Sequence, residues 1–317
     1  MQLGVNLIPH GDPTATIAVA IAAEQAGFTR CLVYDEGLAT HDVYVMCTAI
    51  AAATHSIQVG PGITNPYTRH PAQTAAAVAS LDAVSSGRAL LGIGAGGSLT
   101  LDPLGIERTR PLGAVADAIA TTRALWAGDS VDVDGQHTCR GARLHGARHD
   151  IEIWLAGRGP KMLELGASSC DGVILDFLHP SVLEAAVTRI RAAAGEHRPR
   201  LSYSTSIVMN DDDMAAVRPN MTYRLVDTPE EVRAELGLDD KTRTVIRTAL
   251  GQGLEAAAAH VRDDWVAPFV IAGDAAECAR GVRSLAERHG IDEFLLPVFD
   301  MADPVDYVRR VGAALNG

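Results

Sequence analysis

The chain has few aromatic side chains and few cysteines. Aromatic residues make up 4% of its 317 residues, while 47% are hydrophobic and 30 are glycine, so a core must be built from aliphatic and small side chains. The five cysteines are widely spaced and include no CxxC pair: Cys31, Cys47, Cys139, Cys170 and Cys278. This spacing fits neither a disulfide framework nor a zinc site made of cysteine ligands, and we predict neither.

Long basic runs and long uncharged apolar runs are also missing. Lys and Arg number 27 against 39 Asp and Glu, a net charge of −12, and such a surface repels nucleic acid. No uncharged apolar stretch reaches the roughly 18 residues of a membrane span. The N-terminal LGVNLIP has neither the basic region nor the apolar segment of a signal peptide. We therefore expect a cytoplasmic protein with a small-molecule partner, and no nucleic acid or membrane partner.

Short apolar runs alternate along the chain with longer segments of helical period. The predicted strands are Leu3–Ile8, Arg30–Tyr34, Ile57–Gly62, Ala89–Ile93, Ile151–Ala156, Gly172–Asp176, Leu201–Met209 and Glu293–Val298. Because these runs are almost continuously apolar, both faces of the sheet should be covered, as in parallel sheets of α/β proteins. The number of units predicts closure into a (β/α)8 barrel, one domain over residues 1–317. An open, doubly wound sheet is the alternative.

The helical segments between these strands are interrupted by two longer insertions. The predicted helices are Thr14–Ala26, Val43–Thr54, Pro71–Leu81, Leu112–Trp126, Pro160–Ala167, Ser181–Ala194, Ala275–Arg288 and Pro304–Leu315. Residues 98–111 and 211–270 lie outside the regular alternation. The second insertion contains a long helical stretch from about Thr228 to Trp265, begun by TPEE, and we predict that it elaborates the barrel before the last strand.

The active site of such a barrel lies at the C-terminal ends of its strands. Asn6 is near the end of the first strand, Asp35 and Glu36 follow the second, and Asp176 ends the sixth. Neighbouring carboxylates tend to raise one pKa, which suits general acid catalysis by Asp35 or Glu36. Helix capping is the alternative role for this pair. The histidines lack metal-ligand spacing, so no metal site is predicted.

Two glycine clusters follow predicted strands. GIGAGG, residues 92–97, fits either a tight exit from the strand or a backbone surface that a flat ring can approach. In GRGPK, residues 157–161, Pro160 suits the first position of a helix. The free N–H groups there, with Arg158 and Lys161 beside them, would form an anion site. A plain helix start with solvated charges is the alternative.

The segment Gly60–Ile106, with GPGITNPYTRHP, SSGRALLGIGAGG and DPLGI, resembles the bacterial luciferase-like superfamily. Within that superfamily it is most similar to the coenzyme F420-dependent methylenetetrahydromethanopterin reductases. The likeness extends to LGVNLIP and to GRGPKMLELGASSCDGVIL, and so over nearly the whole chain. It implies a (β/α)8 barrel, a dimer or tetramer of identical chains, with F420 or FMN at the mouth. The implied activity is hydride transfer between reduced F420 and a small organic substrate such as a methylene-tetrahydropterin.

The same resemblance implies a set of cofactor contacts. It places a non-prolyl cis peptide at Gly62–Ile63, behind the deazaflavin ring. The residues expected at the ring are Asp35, Gly62, Ile63, Thr64 and Asn65, with Gly94 and Gly96 near its other parts. Those expected near the phosphate and tail are Gly157, Arg158, Gly159 and Lys161.

The chain departs from these reductases at two positions. Asn6 stands where they carry the glutamate that acts as their acid, and an amide does not titrate usefully. Asp35–Glu36 replaces their Asp-His pair. Asn6, Asp35 and Glu36 are the catalytic candidates. Other functions on this barrel stay open: an FMN-dependent monooxygenase, an NAD(P)H-dependent methylenetetrahydrofolate reductase, or a non-catalytic barrel that binds a flavin or deazaflavin.

Overall fold

An eight-stranded parallel sheet forms the centre of the computed structural model, which describes residues 1–299 and 301–317. Its strands are β1 Gln2–Leu7, β2 Arg30–Val33, β3 Gln58–Pro61, β4 Leu90–Ile93, β5 Glu152–Ala156, β6 Gly172–Asp176, β7 Arg200–Ser204 and β8 Glu293–Val298. Neighbouring strands follow the order β3-β2-β1-β8-β7-β6-β5-β4. The first and last strands of the chain are therefore paired, as a barrel requires.

After each strand the chain returns through a helix. The helices are α1 Pro13–Gln25, α2 Val43–Ala53, α3 Pro71–Val84, α4 Pro111–Trp126, α5 Pro160–Ser169, α6 Pro180–Ala194, α7 Ala275–His289 and α8 Pro304–Asn316. Proline occupies the first turn of most of them, where its missing N–H would have no helical partner. In α7, Asp274 and Glu277 form a capping box instead.

The two edge strands of this sheet, β3 and β4, close the barrel. Val59 makes a parallel bridge to Ala89 at the N-terminal ends of the two strands. Thr64 makes another to Ile93 at their C-terminal ends. The backbone N–H of Thr64 donates to the carbonyl of Gly92 at 3.0 Å. The predicted (β/α)8 barrel is confirmed, and the open doubly wound sheet is not formed.

Glycine makes this closure sterically possible. A Cβ on Gly60 would lie 2.0 Å from the carbonyl oxygen of Leu90, and one on Gly92 would lie 2.3 Å from that of Pro61. Both distances are well inside van der Waals contact, so any side chain at these positions would push β3 and β4 apart. Gly60 in β3 and Gly92 in β4 therefore allow the two strands to come into contact.

An ionic cluster fills the barrel at the N-terminal ends of its strands, and its central pair, Arg30 and Glu293, is buried. Arg30, at the start of β2 and 1% exposed, pairs with Glu293 at 2.8 Å and with Glu152 at 3.1 Å. Arg200 pairs with Glu152 at 2.6 Å. Both guanidinium groups lie over the ring of Trp154, at 4.2 and 4.9 Å from its centre. Each charge in the cluster thus has an opposite charge beside it, as buried charges require.

The predicted elaboration before the last strand is confirmed, but its helices differ from those expected. In place of one stretch from about 228 to 265, the structure has shorter helices: Glu230–Leu236, Asp240–Leu250, Leu254–Ala258 and Asp263–Val266. Gly237 ends the first of them in the left-handed conformation, at φ +66°, and Asp239 caps the next one. These local signals override the helical period.

Two further elements were wrong or missing in the sequence prediction. Helix Asp211–Asp227 lies within the region 211–270 that was predicted as a helical elaboration, but it was not predicted as a separate helix, and it contains Pro219. The run predicted as one strand over Leu201–Met209 ends in the barrel at Ser204, and Ile207–Val208 pairs instead with Ile271–Ala272 outside it. Across the described ranges 1–299 and 301–317, no helix has the length and apolar character to cross a bilayer.

The packing of β3 against β4 predicts unequal effects of two glycine substitutions. Gly92→Ala should lower the free energy of unfolding by about 1–3 kcal/mol, because the new methyl group overlaps the carbonyl of Pro61. Gly97→Ala is the control: its backbone is extended at φ −99° and nothing lies within 4 Å of the new methyl group. Urea unfolding followed by circular dichroism measures both. Equal losses would contradict this role for Gly92.

Candidate active site

A cavity of about 450 Å³ opens at the C-terminal ends of the barrel strands. Its volume lies within the usual range of small-molecule sites. The lining residues follow strands from all sides of the barrel: Asn6, Tyr34, Asp35, Glu36, Gly62, Ile63, Asn65, Ala95, Gly96, Gly97, Thr100, Arg108, Ala156, Gly157, Arg158, Ile174, Asp176, Ser204 and Arg224. The structure thus brings residues distant in sequence to one concave surface.

Most of the residues predicted from sequence lie on this surface. Those that line it are Asn6, Asp35, Glu36, Gly62, Ile63, Asn65, Gly96, Gly157 and Arg158. Thr64 and Gly94 are buried just behind it. Gly159 and Lys161 are exposed at the start of α5, outside the lining. All of these ligand contacts stay predictions.

Asn6 sits near the end of β1 and is 5% exposed. Its Nδ2 donates to the carbonyl oxygen of Gly62 at 2.7 Å, which links β1 to the segment that follows β3. Among the described residues its Oδ1 has no hydrogen-bond partner. A buried acceptor without a partner is uncommon in folded proteins, and this one belongs to a cavity-lining side chain.

The peptide bond between Gly62 and Ile63 is cis, as predicted. A Cβ on Gly62 would lie 2.3 Å from Cβ of Leu32, and one on Gly94 would lie 2.3 Å from Cδ1 of Ile63. Gly62 is therefore required by packing within the barrel wall, because the backbone holds Cβ of Leu32 in place. At Gly94, the end of the Ile63 side chain occupies the space that a Cβ would take.

Asp35 is anchored on one oxygen. The hydroxyl of Thr64 donates to its Oδ2 at 2.6 Å. Burial raises the pKa of Asp35, and the hydrogen bonds from Thr64 and from the N–H of Gly37 oppose that rise. Asp35 therefore ties the end of β2 to the residues that follow β3.

Glu36 lies among other acidic groups. The hydroxyl of Thr100 donates to its Oε2 at 3.1 Å. Burial raises the pKa of Glu36, and the negative charges of Asp35 and Asp176 raise it further, against the effect of Thr100. Glu36 is thus a carboxyl group that holds its proton more strongly than a solvated glutamate.

Asp176, at the end of β6, is shared by two arginines. Arg158 lies 3.6 Å from its Oδ2, and Arg224 forms an ion pair with the same oxygen. Burial raises the pKa of Asp176, and the charge of Arg158 lowers it. Arg224 also lies over the ring of Phe177, 5.1 Å from its centre. This contact joins the inserted helix Asp211–Asp227 to the mouth of the barrel.

The sequence reasoning missed Arg224, Arg108 and Thr100. Arg224 lies on a helix that was not predicted as a separate helix, and no sequence signal shows where an inserted helix packs. Arg108 and Thr100 lie within the 98–111 insertion, where Arg108 donates to the carbonyl of Gly96 at 2.8 Å. The sequence signal that could have identified Arg108 and Thr100 is a charged or hydroxyl residue in the segment that follows the glycine-rich end of a strand.

Comparisons with known proteins agree with this fold. The model of the luciferase-like monooxygenase family matches residues 1–293. The 5,10-methylenetetrahydromethanopterin reductase of Methanolobus tindarius is 33% identical over 299 residues, covering 90% of this chain and 91% of the relative. The corresponding enzyme of Archaeoglobus fulgidus is 31% identical, with 90% of each chain covered.

Solved structures give the same result. The coenzyme F420-dependent tetrahydromethanopterin reductase from Methanopyrus kandleri superposes with a TM-score of 0.89 at 26% identity, covering 99% of this chain and 98% of that one. An F420-dependent secondary alcohol dehydrogenase, in complex with an F420-acetone adduct, shares the fold with a TM-score of 0.79 at 21% identity, covering 99% of this chain and 98% of the other. The chain belongs to the luciferase-like monooxygenase family, and within it is similar to the methylenetetrahydromethanopterin reductases.

Proposed function

We propose that the chain is a coenzyme F420-dependent oxidoreductase that transfers a hydride between the reduced deazaflavin and a small organic substrate. One observation carries the proposal. The cavity at the C-terminal ends of the strands, here called the mouth cavity, is lined both by the apolar side chain of Ile63 and by Asn6, whose Oδ1 has no hydrogen-bond partner among the described residues. Similarity to the coenzyme F420-dependent reductase of Methanopyrus kandleri, 26% identical over 99% of the chain, supports the choice of F420. The relatives' names make a methylene-tetrahydropterin the first substrate to test.

The residues of the cavity fit such a cofactor. Ile63, Ala156 and Ile174 offer an apolar surface for a flat heterocycle, and Asn6 offers an acceptor. Arg108 lies at the edge and provides a positive charge for an anionic tail. When bound, reduced F420 supplies the hydride. The chain itself positions the reactants and excludes water from them.

Glu36 is the side chain best suited to hold and deliver a proton in this cavity. Burial raises the pKa of Asp35, but hydrogen bonds from Thr64 and from the N–H of Gly37 oppose that rise. Glu36 also accepts a hydrogen bond, from Thr100, and the negative charges of Asp35 and Asp176 favour its protonated form. Asn6 cannot supply a proton. We therefore assign proton transfer to Glu36, at the end of β2, and a supporting role to Asp35.

The finer statements about partners and location are proposals as well. We propose a homo-oligomer, a dimer or tetramer, in the cytoplasm. Exposed apolar side chains at Leu38 and Val45, 79% and 66% accessible, support a contact between subunits. The five cysteines are free and buried, which suits a reducing compartment. Sedimentation equilibrium gives the mass of the assembly.

Cofactor choice is tested by binding. We expect saturable quenching of tryptophan fluorescence on addition of F420, and none with FMN or NADPH at the same concentrations. Reduced F420 and methylenetetrahydromethanopterin together should then give turnover, measured by the return of F420 absorbance. Binding of FMN or NADPH but not F420 would reject the proposal in favour of the other redox functions. Binding of F420 without turnover on any substrate tried would favour a non-catalytic barrel.

The role of Glu36 predicts a pH effect of definite sign. Because burial and its acidic neighbours raise the pKa of Glu36, its acid form persists to higher pH than that of a free glutamate. The rate of substrate reduction should be constant below this raised pKa and fall as pH rises through it.

Substitution of Glu36 tests this assignment. Glu36→Gln should lower kcat by about 10²–10⁴-fold and abolish the pH dependence. Glu164→Gln, on the exposed face of α5 where Glu164 pairs with Arg189, is the matched control and should change neither. A Glu36→Gln variant that keeps the full pH profile would assign the proton to another group.

A further inference from the structure

The side-chain amide of Asn6 is held in one orientation. Its partner, the backbone oxygen of Gly62 at 2.7 Å, can only accept a hydrogen bond. The nitrogen of the amide must therefore face Gly62, and the oxygen must face away from it. Rotating the amide by 180° would bring two acceptors together, so the structure excludes that orientation.

The outward-facing atom, Oδ1 of Asn6, has no partner among the described residues although the side chain is 5% exposed. A buried acceptor is costly unless a donor reaches it. Asn6 lines the cavity, so a molecule bound there can supply that donor. The amide nitrogen already donates one N–H to Gly62, so the oxygen is the atom of this amide that is left without a partner among the described residues.

Other acceptors lie on the same surface. The carboxyl groups of Asp35 and Asp176 line the cavity together with Asn6, while arginines supply donors elsewhere on the lining. A molecule that presents a carbonyl or carboxylate oxygen to Asn6 would leave an acceptor facing an acceptor. One that presents an N–H or O–H group there would satisfy it. At Asn6 the surface is therefore complementary to a hydrogen-bond donor.

We propose that Asn6 selects the bound molecule by hydrogen-bond polarity, its Oδ1 accepting from an N–H or O–H of the cofactor ring or of the substrate. The inference rests on the proposed function and deepens it. At the end of β1 this chain carries a fixed acceptor. The molecule must therefore bring its own donor to that position, and any proton needed comes from elsewhere in the cavity.

An Asn6→Asp variant tests this polarity, because the side chain keeps its size. When the new carboxyl is protonated, its O–H donates to Gly62 and its other oxygen still accepts from the ligand. When it ionises, one oxygen faces the carbonyl of Gly62 and repels it. Ligand binding by the variant should therefore match the unaltered chain at low pH and weaken by about tenfold or more as pH rises.

Other charged and titratable groups line the same cavity in both proteins. They come from β2, β5, β6 and the two insertions: Tyr34, Asp35, Glu36, Arg158, Asp176, Arg108 and Arg224. At each pH, the dissociation constant of Asn6→Asp is divided by that of the unaltered chain. Because both proteins contain these groups, their effect on binding cancels in the ratio. Asn6→Ala should weaken binding by about tenfold to hundredfold, with a ratio that does not change with pH.

A matched control exists at the end of α8. Asn316 donates through Nδ2 to the carbonyl of Ala26 at 2.8 Å, the same type of bond, outside the cavity lining. Asn316→Asp should leave ligand binding unchanged at every pH. Urea unfolding of all variants reports any general loss of stability separately from binding.

The probes are oxidised F420, reduced F420 and methylenetetrahydromethanopterin, each titrated by fluorescence. A change confined to F420 places the donor on the cofactor ring, and one confined to the pterin places it on the substrate. If the unaltered chain binds F420 and both Asn6 variants bind every probe as it does, the inference is overturned while the proposed function stands. If the unaltered chain does not bind F420, the proposed function itself fails.

Discussion

The site depends on the close approach of β3 and β4. These are the edge strands of the sheet, and they meet only because Gly60 and Gly92 have no side chain where carbonyl oxygens of the opposite strand lie 2.0 and 2.3 Å from a Cβ position. Their meeting converts an open sheet into a barrel. It also determines where the segment after β3 lies, since Thr64 bridges to Ile93. Without this contact, the cavity would have no wall on that side.

The contact between β3 and β4 positions the polar side chains of the site through two hydrogen bonds. Thr64, held by β4, donates to Asp35 and so fixes the end of β2. Gly62, two residues earlier, accepts from Asn6 and fixes the polarity of the amide at the end of β1. The result is a cavity with an apolar surface at Ile63 and a polar surface of amide, carboxyl and guanidinium groups. The cofactor choice and the proton supply that we propose both depend on this division.

The sequence predicted the barrel well because its strands are continuous apolar runs, and runs such as Gly172–Asp176 match the observed strand. It could not decide between two roles for the glycines of residues 92–97. The structure divides them: Gly92 and Gly94 pack against the segment around β3, while Gly96 and Gly97 line the cavity. Arg224 could not be predicted, because its contact with Asp176 depends on how an inserted helix packs. The helix start at Pro160 was predicted correctly, but Lys161 is exposed and lies outside the cavity lining. Its position relative to the cavity depends on tertiary structure.

The most direct test of the whole account is a crystal structure of the protein soaked with F420. The account predicts that the deazaflavin ring lies in the mouth cavity against Ile63, with Glu36 and Asn6 within hydrogen-bond reach of the ring or of the space above it. A ring bound elsewhere on the molecule, or a cavity that stays empty while F420 binds in solution, would contradict it.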